Sequence, residues 1–261
     1  MKKDKLFSTA IYGFMFFYPI VVLSLIIADI SYVNMAAIRE VFHSQEIMYA
    51  LKLSVISSTI SIFFALVFGV PCAYALSRYK FSGKAIVDTI VDIPVFLPYV
   101  VIGLSLLIFF QTPVGRFIEK SGLAFVYTSK GIVLCQTIVA CAYVIRTVRS
   151  TFDTIDYRAE DVAKTLGCSD AGAFFKITIP NARNGIIAGG VLGWAVSFGL
   201  FGPVVVFCGI TRFKTEVLPS TIFLEVSVGR LEVALTVSLL MITIALASLV
   251  LFKKFGNEKS K

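Results

Sequence analysis

Histidine and tryptophan each occur once in 261 residues, and only 15% of the chain is charged. Soluble domains carry roughly 25% charge, so water is not the solvent for which this sequence is built. His43 has no companion for a zinc site or for imidazole acid–base chemistry. Cysteine is sparse: Cys72, Cys135, Cys141, Cys168 and Cys208 form no C-x-x-C pair, which reads as packing rather than redox or metal chemistry. The phosphate-loop pattern G-x-x-x-x-G-K-[ST] is missing, so no nucleotide site is assigned to this chain. With no cluster of catalytic His, Cys or carboxylate groups, the chain reads as a non-enzyme without a cofactor of its own.

What the chain has in quantity is apolar length. Hydrophobic residues make up 57% of it, which excludes disorder. Runs free of Asp, Glu, Lys and Arg occupy 7–28, 53–77, 93–115, 131–145, 184–211 and 233–252. A bilayer core needs about 20 helical residues, and five runs reach that length. The fourth is short, but Arg146 and Arg149 can snorkel and let its helix continue to residue 149. The first run is too long for the apolar part of a signal peptide and is expected to stay as a helix. The expected fold is therefore all-α, a polytopic membrane protein with six transmembrane helices.

Orientation follows from the basic residues, because Lys and Arg are retained in the cytoplasm. One alternating set of segments, including Lys2, Arg78, Lys84, Arg146, Arg149, Lys164 and Lys253, holds 16 of the 24; the other holds eight. Both termini are expected in the cytoplasm, at the plasma or inner membrane. The net charge of +8 sorts by membrane side and forms no dense patch, so nucleic acid is not an expected partner. The organisation reads as 1–46 (tail, first helix, external segment), a membrane domain over 47–252, and a cytoplasmic tail over 253–261. Within the domain, the segment 150–183 is the longest cytoplasmic stretch.

That stretch carries a local design. Asp156 suits a helix N-cap, Glu160 and Asp161 lie where the helix dipole favours carboxylates, and Gly167 suits the stop. Ser169 can cap a second, short helix bearing Phe174 and Phe175, expected to end before Pro180. Val162, Ala163 and Leu166 form an apolar edge. The residues alone leave two readings open: an element that docks onto a partner, or an amphipathic loop lying on lipid headgroups.

Asp161-Val162-Ala163, three residues, Gly167, nine residues, then Ile177-x-Ile179-Pro180 resembles the EAA motif of ABC importer permeases, E-A-A, three residues, G, nine residues, I-x-L-P. Asp161 stands for the Glu, with Glu160 beside it as the alternative acid. The resemblance implies a type I permease fold and a coupling role for 150–183, inserted into a groove on a cytoplasmic ATP-binding subunit. It implies Glu160, Asp161, Val162, Ala163, Gly167, Ser169, Phe174, Phe175, Ile177, Ile179 and Pro180 as coupling residues. ATP and Mg would sit on that partner, two of which would serve a pair of permease copies, expected as a homodimer, with an external substrate-binding protein.

Two further stretches narrow the branch. Asp92-Ile-Pro-Val-Phe-Leu-Pro98 with the run 101–107, and Ser197-Phe-Gly-Leu-Phe-Gly202, are similar to the third- and fifth-span signatures of molybdate, tungstate and sulfate permeases. Leu200 stands where that group often carries Glu. The implied cargo is a tetrahedral oxyanion, molybdate or tungstate ahead of sulfate. A dianion needs readily exchanged donors, and Ser105, Ser197, Gly199 and Gly202 are the expected pathway residues. Gly185, Gly189 and Gly193 read instead as a close-packing stripe. Pro94 and Pro98 predict a kink in the third span. Asp88 and Asp92 read first as interfacial carboxylates, with an inner gate as the alternative. The external cations Arg116, Lys120, Lys130, Arg212, Lys214 and Arg230 read mostly as solvated charges. An ion-coupled transporter or channel is the alternative class; it should show intramembrane ionisable residues or inverted repeats.

Overall fold

The computed structural model describes residues 2–257, with side chains for 11–251. Residues 258–261 of the expected tail lie outside the described residues. Hydrocarbon offers no hydrogen bonds, so a spanning backbone must satisfy its own, and the described regular structure is helical. In chain order the helices are α1 (Lys2–Tyr32), α2 (Met35–His43), α3 (Gln45–Arg78), α4 (Lys84–Phe96), α5 (Tyr99–Gln111), α6 (Pro113–Lys120), α7 (Ser129–Thr154), α8 (Arg158–Thr165), α9 (Asp170–Ala173), α10 (Ile179–Asn181), α11 (Arg183–Phe198), α12 (Gly202–Cys208), α13 (Leu218–Ser227) and α14 (Leu231–Asn257).

Among the described residues, four segments are long and apolar enough to cross a bilayer: Ile11–Tyr32, Gln45–Arg78, Ser129–Thr154 and Leu231–Leu251. The other two expected spans are broken. α4 and α5 meet at 113°, and α11 and α12 at 56°, so six crossings are reached only if each bent pair counts as one. The kink expected from Pro94 and Pro98 is thus a sharp corner. Pro94 stays inside α4, Leu97 is extended, and Pro98 starts α5.

α3, α7 and α11 form the core. The glycine stripe packs as expected: Cβ atoms at Gly185, Gly189 and Gly193 would lie 1.9 Å from Thr151 Oγ1, 3.1 Å from Val148 and 2.7 Å from Ile62. Only glycine lets α11 approach α7 and α3 this closely. Buried polar groups staple the same helices. Ser61 Oγ donates to Gln136 Oε1 (3.1 Å), and Gln136 Nε2 donates to Ser197 O (2.9 Å). Ser54 Oγ accepts from Leu218 N at 2.8 Å, tying α13 to α3.

α7 continues beyond residue 149 to Thr154 because its two arginines find partners within the protein. Arg149 pairs with Asp88 and reaches Asp153 at 3.7 Å, and Arg146 lies 5.8 Å from the Phe96 ring centroid. The end of the bundle holding Arg78, Arg146 and Arg149 is called the basic end below. At the opposite end, two cations read as solvated belong to an ion network. Arg212 pairs with Glu46 and lies 3.7 Å from Glu225, while Arg230 pairs with Glu40 and lies 3.4 Å from Glu225. The buried Glu216 lies beside this network, with Oε1 accepting from Thr221 (2.8 Å) and Oε2 unpartnered.

Candidate functional site

At the basic end, α8, α9 and the following turn form the expected helix–turn–helix. Asp156 Oδ1 accepts from Arg158 N at 2.9 Å and so starts α8. The stop has both bonds of a Schellman motif: Cys168 N donates to Ala163 O and Gly167 N to Lys164 O, each at 3.0 Å. Gly167 has φ +87°, the left-handed conformation that only glycine adopts without strain. Ser169 Oγ then accepts from Gly172 N (3.1 Å), and Lys164 Nζ meets Asp170 Oδ1 across the turn at 2.7 Å.

The second helix does not end before Pro180. It runs through a π-turn over Phe174–Thr178 into α10. Ile179 N bonds back to Phe174 O, and Pro180 falls in the first turn of α10, where an amide donor is dispensable. The expectation of a stop assumed regular α geometry. The wider π-turn removes that conflict.

The segment has two faces. Leu166 (83% exposed), Phe175 (66%) and Val162 (58%) project outward together with Asp161 and Pro180. Ala163, Phe174, Ile177 and Ile179 are half-buried, and Phe174 packs edge-on to Tyr74 at 4.7 Å. Phe174 and Phe175 therefore differ: Phe174 holds the segment to α3, while Phe175 packs edge-on to Phe174 at 4.9 Å and stays largely exposed. Glu160 faces inward and is 4% exposed. It accepts from Tyr74 Oη (2.7 Å) and Arg78 Nε (3.0 Å). Burial pushes its carboxyl up, but the bonds from Tyr74 and Arg78 outweigh burial and hold it below the usual value. The buried Thr178 hydroxyl lies near the same carboxylate, outside hydrogen-bonding geometry.

The four expected pathway residues differ in exposure. Ser105 is exposed on α5, away from Gly103, where an added Cβ would lie 2.7 Å from Pro203. Ser197 is fully buried with its hydroxyl on Gln136 O (3.4 Å), so it lines no open space in this conformation. Gly199 is exposed at the end of α11, and Gly202 packs against Val100. Leu200, the position where the resembling group often has Glu, is a core residue.

Residues 65–256 match the family described as the binding-protein-dependent transport system inner membrane component. The chain belongs to this family. Curated relatives of the permease include the molybdenum transport system permease protein ModB of Haemophilus influenzae, 33% identical over 81% of this chain and 94% of that one. The sulfate transport system permease protein CysT of Escherichia coli is 30% identical over 78% of this chain and 74% of its own length. Among solved structures, a bacterial ABC transporter involved in the import of the acidic polysaccharide alginate matches with a TM-score of 0.76 at 16% identity, covering 99% of the permease and 95% of that chain. The MetNI methionine ABC transporter matches with a TM-score of 0.66 at 17% identity, covering 84% and 100%. The permease thus has the type I ABC importer fold, is a multi-pass inner-membrane protein of the molybdate and sulfate branch, and is a transport subunit rather than an enzyme.

Sequence reasoning missed the partners of Glu160 in the permease, which lie about 80 residues away on α3. It also missed a cavity of about 450 Å³ at the basic end, lined in part by Asp88, Asp92, Arg146, Arg149 and Asp153. Asp88 is an ion-pair partner of α7 there rather than a carboxylate held by its own helix N-terminus. The readable signal was a carboxylate and an arginine spaced apart in adjacent basic-end segments.

Proposed function

We propose that this permease is the membrane subunit of an ATP-driven importer of a tetrahedral oxyanion, molybdate or tungstate, working by alternating access. The basic end, with both termini, faces the cytoplasm. The helix–turn–helix over 156–180 is the lever gripped by a cytoplasmic ATP-binding subunit, which holds the ATP and Mg. Two permease copies enclose the pathway around a two-fold axis, two ATP-binding subunits drive it, and an external oxyanion-binding protein delivers the cargo.

The observation that carries this reading is the outward edge of Val162, Leu166 and Phe175, three large apolar side chains held on a rigid, doubly capped turn. Asp161 sits beside that edge as a recognition residue, and Gly167 forms the fixed corner of the turn. Ser169 sets the second helix, Phe174, Ile177 and Ile179 seat it, and Pro180 lies on the outward face. Ser105, Gly199 and Gly202 are the pathway positions the reading keeps, with Ser197 as a strut that becomes accessible only if α11 and α7 separate.

Molybdenum relatives from several organisms favour molybdate, and the similar identity to the sulfate permease makes sulfate the second reading. The test is reconstitution with the candidate ATP-binding subunit and external binding protein, followed by uptake of molybdate, tungstate and sulfate in competition. ATP-dependent molybdate or tungstate uptake that excess sulfate does not suppress is the expected result. Uptake of sulfate alone overturns the cargo assignment, and failure to retain any ATP-binding subunit overturns the coupling reading.

A further inference from the structure

The chain connects the proposed lever to the membrane by two routes of different stiffness. Along the backbone, the lever reaches α11 through the π-turn at Phe174–Thr178, the three-residue α10 and the break at Ala182. A π-turn and a proline in succession interrupt the regular hydrogen-bond ladder, and such irregularities are where helices bend.

The second route is lateral and built from side chains. Tyr74 and Arg78 stand one turn apart at the end of α3, the longest helix. Tyr74 Oη donates to Glu160 Oε2 on α8 at 2.7 Å, and its ring packs edge-on to Phe174 in the second arm (4.7 Å) and to Phe152 on α7 (5.8 Å). Arg78 donates from Nε to Glu160 Oε1 at 3.0 Å and from an Nη to Ile155 O at 3.1 Å, just after α7. The Arg78 and Glu160 side chains are 12% and 5% exposed. A charge-assisted network this well buried holds its members in one geometry.

Asp161, the next residue along, is exposed and has no part in this network. The two adjacent acids therefore divide. We infer that Glu160 is a positioning residue whose bonds to Tyr74 and Arg78 carry movement of the lever into α3, while Asp161 is the acid presented to the ATP-binding subunit. The inference rests on the coupling role proposed above and adds the route by which that role reaches the membrane. Removing the Tyr74 hydroxyl keeps the ring contacts but loosens the joint, so ATP hydrolysis and transport fall out of step.

The test uses the whole reconstituted importer and reads oxyanions imported per ATP hydrolysed. Tyr74→Phe is expected to retain the ATP-binding subunit and ATP hydrolysis while the ratio falls about tenfold, within the range of typical coupling effects. Glu160→Gln is expected to lower the ratio similarly, and the double variant to fall no further, because one joint cannot be broken twice. Should Glu160→Gln fail to accumulate, Tyr74→Phe carries the test alone. An unchanged ratio in Tyr74→Phe overturns the inference, as does a double variant in which the two losses multiply. If the unaltered permease retains no ATP-binding subunit, the coupling reading itself has failed; that result is separable because it appears before any substitution is made.

Discussion

Lys164 Nζ lies 2.7 Å from Asp170 Oδ1, joining α8 to α9 across the Gly167 turn. Both groups are wet, so the pair contributes geometry rather than much stability, and Asp170 holds the Lys164 ammonium above its usual range. The turn is fixed from several sides: the Schellman bonds before it, the Ser169 cap after it and this ion pair over the top. An apolar edge on so rigid a base can transmit force without first being ordered.

Gly167→Ala therefore isolates conformation from packing. Nothing lies within 4 Å of the added Cβ, but φ +87° costs a side-chain-bearing residue about 1–2 kcal/mol. The variant is expected to fold and span the membrane with weakened retention of the ATP-binding subunit in a co-purification assay. Gly167→Asn, which tolerates this backbone better, should recover part of it. Equal retention by all three forms would detach the turn from docking.

Glu160 should protect the structure against acid. Its folded-state carboxyl lies below the ordinary value of 4.5, so its stabilisation is present above 4.5 and is lost as pH falls through the lower folded value. Melting temperature followed downward in pH should show an acid limb that Glu160→Gln flattens. At neutral pH the same variant leaves Arg78 without its buried partner and costs about 3–5 kcal/mol.

Glu216 should behave in the opposite sense. Burial raises its carboxyl above the ordinary 4.5, outweighing the Thr221 bond and Arg212. The unfolded chain ionises first, so stability declines as pH climbs from 4.5 toward the folded value. Glu216→Gln removes that ionisation and is expected to raise the melting temperature at neutral pH. A drop there, with the slope unchanged, would mean that the carboxylate is paired.

Two glycines near the proposed pathway should separate cleanly. A Cβ at Gly103 would lie 2.7 Å from the Pro203 backbone, and overpacking of this kind costs about 1–3 kcal/mol. At Gly199 the nearest atom to such a Cβ is Ala195 O at 3.6 Å, an ordinary contact. Gly103→Ala should lower thermal stability and push α5 off α12, whereas Gly199→Ala should melt like the parent. Any uptake lost in Gly199→Ala then reports on transport rather than on folding.

The features legible in the sequence are those with local causes. Charge-free runs mark the four continuous spans because desolvation acts on composition. Asp156, Gly167 and Ser169 could be placed because caps and left-handed turns depend on neighbours within a few positions. Asn34 and Thr112 carry the same kind of local signal for α2 and α6, helices of nine and eight residues that are too short to stand out as apolar runs. Pro98 marked a break, but not its 113°; that angle goes with the close seating of α5 on α12 at Gly103 and Pro203. The inward turn of Glu160 depends on Arg78, 82 residues earlier, and the pairing of Arg230 on Glu40, 190 residues earlier. No local pattern encodes such distances.

The corner at Pro98 has a last consequence. Around it the carbonyls closing α4 and the amides opening α5 lack regular helical partners, while Phe96, Leu97 and Val100 are exposed. Hydrocarbon tolerates interrupted backbone only where protein or a water-filled space covers it. A solitary protomer is therefore an incomplete solute for lipid, and its corner is fully dissolved only when a neighbouring subunit or an aqueous chamber shelters it.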